Sequence, residues 1–262
     1  MSTNAMHVAK TGLNAQQTRL QVIANNLANV NTTGFKRDRA NFETLLYQVS
    51  RPGGDPTSQD TQLTSSLALG TGVRVVSTDK LYTQGSLSDT GNALDVGING
   101  QGFFQVLMPD GRIGYTRDGS FSMNDQGILT THSGYVVQPE IEIPAGAMQI
   151  NISNDGVVSV LMPGATEREE MGQITLANFA NPRGLEPVGE NFVVETMASG
   201  APIVGVPIED GMGQLQQGML ETSNVNVVQE LVDMIETQRA YEINSKSISA
   251  ADEMLRFMSN KI

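Results

Sequence analysis

The sequence predicts an α+β chain: long N- and C-terminal helices forming a coiled-coil-like pair, a central all-β domain, and an extended connecting region. Three observations carry this. All ten prolines and 25 of the 27 glycines lie between Arg51 and Gly218, so helix breakers avoid both ends. Apolar residues recur at heptad spacing in each terminal segment. Between the ends, short β-prone runs alternate with Asp-Gly and Asn-rich turn signals.

The N-terminal helix is read from Met6, Leu13, Leu20 and Leu27, with Ala9, Gln16, Ile23 and Val30 at the offset-three positions. This is an a/d pattern with one polar slot at Gln16. Asn29, Asn31 and the run to Gly34 supply stop chemistry, with Gly34 placed as the C′ residue. Lys36-Arg37-Asp38-Arg39 then reads as a solvated or helix-end charge run. The stretch from Arg51 to Ser66 has two prolines, two glycines and few apolar groups, which predicts a loop or extended arm.

The β region is read from Phe103–Leu107, Tyr135–Val137, Ile141–Ile143, Ile150–Ile152, Val157–Val160, Ile174–Leu176 and Phe192–Glu195. Turns are placed at Asp110-Gly111, Asp118-Gly119, Asn124–Gly127 and Asp155-Gly156. The C-terminal helix follows from Val227, Met234, Tyr241, Ile248, Leu255 and Ile262 at strict spacing of seven, widened by Leu231, Ile235, Ala251 and Met258. Ser223 or Asn224 is placed as its cap, and its other side reads as wet.

Composition excludes several functions. The 262 residues carry a net charge of −12, which argues against nucleic acid as a partner. No cysteine is present, so disulfides, thiolate metal sites and cysteine nucleophiles are ruled out. His7 and His132 are the only histidines and are expected at the surface, which excludes a multi-histidine metal site. Gly97-Ile-Asn-Gly-Gln-Gly102 has the wrong spacing for a dinucleotide loop and precedes a strand, not a helix. No calcium loop, nucleophile elbow or Walker loop occurs. A carboxylate-pair hydrolase would need a sugar-stacking cleft, which a chain with no tryptophan and 5% aromatics supplies poorly. No membrane span or cleaved signal segment is visible.

Each terminal helix thus carries an apolar stripe that a lone helix in water cannot bury. The pattern leaves two solutions. The stripes pack within one chain, giving a soluble binding module, or they pack against other copies, giving a helical assembly.

Ala24-Asn-Asn-Leu-Ala-Asn-Val-Asn-Thr-Thr-Gly-Phe-Lys-Arg37 resembles the N-terminal signature of the bacterial flagellar rod and hook axial proteins. Glu221–Ile235 and Gln238–Ser245 are similar to that family's C-terminal signature, and Gly100–Val106 and Tyr115–Phe121 to its β region. Leu45-Leu-Tyr-Gln, the polar arm behind it and Leu69-Gly-Thr-Gly-Val73 look like the distal-rod group within the family.

The resemblance implies a non-enzymatic structural subunit of the rod, with no catalytic residues, cofactor or metal. It implies that residues 1–35 and 223–262 form the inner tube, that 36–95 and 205–222 connect, and that 96–204 form the outer β domain. The partners implied are further copies of the chain, other rod subunits, hook protein, periplasmic and outer-membrane ring proteins, and the flagellar export apparatus, without nucleic acid or membrane insertion. The location implied is the basal body, across the periplasm, after export without a cleaved signal. On this basis Leu13, Leu20, Ile23, Leu27 and Val30 with Val227, Leu231, Met234, Tyr241, Ile248 and Leu255 are expected to form the polymerisation interface. Arg51, Pro52, Asp55, Pro56, Gln59 and Gln62 are expected to form a stiffening arm. Another rod or hook subunit of the same family remains the alternative.

Overall fold

The computed structural model describes residues 2–51, 65–164 and 167–259. They form two compact units: 1–27, 38–79 and 226–262 make the first, and 28–37 with 80–225 the second.

The first unit holds both long helices. α1 runs Ser2–Ala28 and α2 runs Val227–Ser259, about 40 and 50 Å long at the usual rise. α1 forms because its sequence is rich in Ala, Leu and Gln, has no proline and carries one glycine. α2 starts at Asn226, whose side-chain Oδ1 accepts from the amides of Val228 (3.1 Å) and Gln229 (3.2 Å). That satisfies two of the amides a helix start leaves open. The cap is therefore Asn226, not Ser223 or Asn224. Antiparallel pairs Asp38–Thr44 with Val73–Lys80, and Tyr47–Arg51 with Leu67–Gly70, complete the unit.

The expected coiled-coil-like pairing of the helices is not what forms. Their facing contacts are polar. Arg19 reaches Asp233 at 3.7 Å, Asn26 Nδ2 donates to Glu230 Oε2 at 3.3 Å, and Gly12 lies beside the Asn244 side chain. A knobs-into-holes seam needs apolar side chains at these points. Here the inward side of α2 carries Glu230, Asp233, Thr237 and Asn244 beside half-buried Met234 and Ile248, so the α+β class holds and a continuous apolar seam does not.

The second unit is built on a nine-stranded antiparallel sheet. Its central strand, Phe103–Leu107, pairs with Ile113–Thr116 on one side and with Val136–Gln138 and Leu176–Asn178 on the other. Successive side chains on a strand point to opposite faces. Phe104 accordingly enters one core with Val96, Ile98, Leu129, Leu176 and Leu215, while Phe103 enters another with Tyr115, Phe179 and Val193. Edge-on ring contacts of 4.8 Å (Tyr115–Phe179) and 5.0 Å (Phe104–Phe121) hold these clusters. A three-stranded sheet, Gln149–Ile152, Val157–Leu161 and Glu169–Gln173, follows.

Two features close this unit on itself. Val96–Asn99 pairs with Gln214–Gln217, and Leu87–Asp89 pairs with Met219–Glu221. Its first strands are thus zipped to its last. Two local readings change. Ile141–Ile143 makes only an isolated bridge, Glu142 to Ile128. Asp118-Gly119 is not a hairpin turn, because the Gly119 carbonyl accepts from Val96 N and the flanking strands take different partners.

Phe104 is fully buried in the larger core, so Phe104→Ala is expected to cost about 3–5 kcal/mol. Urea unfolding followed by circular dichroism checks this, and a midpoint equal to that of the parent chain would contradict the packing described.

Candidate functional site

Two sets of side chains stand out: a polar pin in the first unit and a buried charge cluster in the second.

The pin is built on Asn26, fully buried near the end of α1. Its Nδ2 donates to the Asp38 carbonyl (2.9 Å) and to Glu230, and its Oδ1 accepts from the Asp38 amide (2.8 Å). Asn25 adds a bond to the Asp38 carboxylate at 3.1 Å. Only an amide side chain can both donate to and accept from one backbone residue in this way. The pair Asn25-Asn26 in the N-terminal signature therefore fixes α1 to the strand that begins at Asp38.

The cluster is centred on Glu221, whose side chain is 1% exposed. Its Oε1 accepts from Lys36 Nζ at 2.6 Å and from the Gly85 amide at 2.8 Å. Its Oε2 accepts from Arg117 Nη1 at 3.4 Å. Lys36 Nζ donates a second bond to the Thr83 carbonyl, and Arg117 stacks over the Phe103 ring. Backbone bonds reinforce the gathering: Gly34 N donates to the Glu221 carbonyl at 2.7 Å, and Leu81 N to the Arg37 carbonyl at 2.8 Å. Asn224 accepts from the Arg37 amide and donates to the carbonyls of Leu81 and Thr83.

Gly34 belongs to this junction and not to a helix cap. It sits beyond the end of α1 with φ +65°, and a Cβ there would lie 2.6 Å from the Arg117–Asp118 backbone. Lys36 also departs from expectation. The run Lys36–Arg39 read as solvated, yet the Lys36 side chain is 3% exposed. Burial lowers its pKa from the ordinary 10.5, and the Glu221 charge and hydrogen bond oppose that shift. Burial likewise lowers Arg117, again opposed by Glu221.

The residues expected at a polymerisation interface separate into groups. Ile23 is buried, while Leu13, Leu20 and Leu27 are half-buried. Val30 lies beyond α1, in the second unit. Met234 and Ile248 are half-buried, and Val227, Leu231 and Tyr241 are exposed. The Leu255 side chain lies outside the described residues, as do Pro52, Asp55, Pro56, Gln59 and Gln62 of the arm, whereas Arg51 is exposed at the end of its strand. A stripe on α2 lies outside the heptad pattern except for Ile235: Val228, Val232, Ile235, Ile243 and Met254 are all exposed, Val228 at 71% and Ile243 at 64%. At 100° per residue they lie on one side of α2, roughly opposite Glu230, Thr237 and Asn244. Their spacing could have revealed the stripe, but Arg239 and Lys246 interrupt it and make that side read as wet.

A cleft of about 700 Å³ in the first unit is lined by His7, Val8, Gly12, Leu69, Gly72 and Asn244. It offers one imidazole and no partnered acid or nucleophile, so it lacks the pieces of general acid–base catalysis. Among the described residues no group of His, Cys, Asp or Glu could hold a metal ion, and no helix is long and apolar enough to cross a membrane.

Two terminal helices with an exposed apolar stripe, joined to a β body, define a structural protein that works by association. Family profiles match in three places: "Flagella basal body rod protein" at residues 6–36, "Flagellar hook protein FlgE/F/G D1 domain" at 97–160, and "Flagellar basal body rod FlgEFG protein C-terminal" at 216–261. The flagellar basal-body rod protein FlgG of Buchnera aphidicola subsp. Schizaphis graminum is 57% identical over 97% of this chain and 98% of its own length. FlgG of Agrobacterium fabrum is 48% identical over 98% and 99%, and FlgG of Bacillus subtilis 36% identical over 95% and 96%. The chain belongs to the flagellar basal-body rod protein family. It is a structural rod subunit of the flagellar basal body, not an enzyme, and it assembles with other rod and hook components.

Two outcomes follow for the pin and the cluster. Asn26→Ala removes both bonds to the Asp38 backbone and is expected to destabilise the chain by about 1–3 kcal/mol in urea unfolding; no change would show the pin to be idle. The unfolded chain keeps the Lys36 proton up to its ordinary pKa of 10.5, while the folded chain releases it at lower pH. Raising the pH through that alkaline window therefore favours folding through this group. Lys36→Met should remove that rise from the stability–pH profile, and an unaltered profile would assign the rise elsewhere.

Proposed function

We propose that this chain is the distal-rod subunit, polymerising through its terminal helices into a rigid helical tube that carries motor torque to the hook and encloses the export channel. The observation that carries this reading is the α2 stripe. Val228, Val232, Ile235, Ile243 and Met254 expose apolar surface on the side away from the helix's packed face. Burying one such side chain is worth roughly 1.5–3 kcal/mol, so an exposed row of five is a strong drive toward a partner surface.

The polymerisation interface is assigned to this stripe together with Leu231, which lies beside it, and with Val227 and Tyr241, which are also exposed but lie round toward the packed side. The terminal helices line the tube. Contacts between different patches on identical copies do not close on themselves, and they generate an open helix. The acidic middle of the chain, net −12 between Arg51 and Gly218, faces the periplasmic and outer-membrane rings. The subunit reaches its place through the flagellar export apparatus.

Leu231→Asp and Ile243→Asp test this reading. Each is expected to leave the β body folded by circular dichroism and to abolish rod polymer in sedimentation and electron microscopy. Polymer of normal yield from both variants would overturn the assignment of the interface to α2.

A further inference from the structure

The Glu221 cluster has an arithmetic that a stabilising ion pair lacks. One buried carboxylate serves two buried cations, Lys36 and Arg117, at 3% and 5% side-chain exposure. Among the described residues Arg117 Nε has no hydrogen-bond partner, and the guanidinium's charge faces the Glu221 carboxylate, the Phe103 ring and Tyr82. The three charges come from segments far apart in the chain: Lys36 just before the strand that begins at Asp38, Arg117 at the end of a central strand, and Glu221 at the end of the last strand. The Glu221 side chain also takes the Gly85 amide, and its carbonyl takes the Gly34 amide.

We propose that Glu221 is a latch: a positioning residue that closes the second unit and holds, at one point, both segments through which the chain passes to its helices. Residues 28–37 lead from α1 and residues 222–226 lead to α2. Both are tied to Glu221, by Lys36 and Gly34 on one side and by direct succession on the other. Delivery of Met219–Glu221 to its place beside Leu87–Asp89 is then the step that completes the unit. Both segments are tied to the same buried charge, so its loss loosens them together.

The latch predicts an unequal response to substitution. Removing the carboxylate leaves two buried cations without a counter-charge, whereas removing one cation leaves a matched pair. Glu221→Gln in the full chain should therefore raise amide exchange at least tenfold in 28–37, 81–86 and 218–225 together, with 103–107 and 157–161 unchanged. Lys36→Met alone should leave 81–86 and 218–225 protected. The double variant Lys36→Met/Glu221→Gln should exchange more slowly than Glu221→Gln alone, because one stranded cation is gone. Hydrogen–deuterium exchange with mass spectrometry reads all three.

Three results would overturn the proposal: opening confined to 218–225 in Glu221→Gln, opening in Lys36→Met as large as in Glu221→Gln, or no rescue in the double variant. If Glu221→Gln fails to fold, the double variant decides. The latch requires it to fold, and its failure overturns the proposal.

Discussion

A buried carboxylate needs compensation, and the compensation available to Glu221 determines how the second unit is put together. An isolated charge in a protein interior costs several kcal/mol even after relaxation. Glu221 meets that cost with Lys36, Arg117 and the Gly85 amide, and each must be brought to it. Satisfying this one group requires the residue-28–37 segment, the turn at Thr83–Gly85, the strand ending at Thr116 and the last strand to converge. The zipping of Leu87–Asp89 onto Met219–Glu221 and the positive φ of Gly34 are consequences of that convergence.

The first unit follows a different rule. α1 and α2 meet at hydrogen bonds and an ion pair, which specify position. Polar contacts of this kind contribute modestly to stability and strongly to register. The apolar surface that would stabilise a helix pair points outward on α2 instead. A subunit arranged in this way leaves an apolar face exposed, which suits the association with other copies proposed above.

What was legible in the sequence follows from the range of the interactions involved. The strands at Phe103–Leu107 and Val157–Leu161 and the two long helices are local patterns, set by periodicity and by the avoidance of proline and glycine. The turn at Asn124–Gly127 is local too, with Asn124 Oδ1 accepting from Gln126 and Ile128. The helix seam was misread because the heptads at Leu13–Leu27 and Val227–Leu255 report where apolar residues lie on each helix, not which face meets the other. Asn26, Asp233 and Glu230 decide that, and their partners lie some 200 residues away in the chain. Lys36 looked like a surface charge for the same reason, and nothing local marked Glu221 as its partner. Each is polar in isolation, and only the fold makes them a buried pair. The signature residues that carried the family likeness are spent largely within the subunit: Asn25 and Asn26 on Asp38, and Gly34, Lys36 and Asn224 at the junction.

The central claim is a division of labour, with the junction made inside each subunit and the apolar face of α2 completed by its neighbours. Hydrogen–deuterium exchange on the wild-type chain, first as dilute monomer and then as polymer, tests it most directly. The account predicts that 30–37 and 219–225 are already as protected as strand 103–107 in the monomer, while 227–259 gains further protection on polymerisation. Free exchange at 30–37 and 219–225 in the monomer, with protection appearing only in the polymer, would contradict it and assign the junction to the assembly.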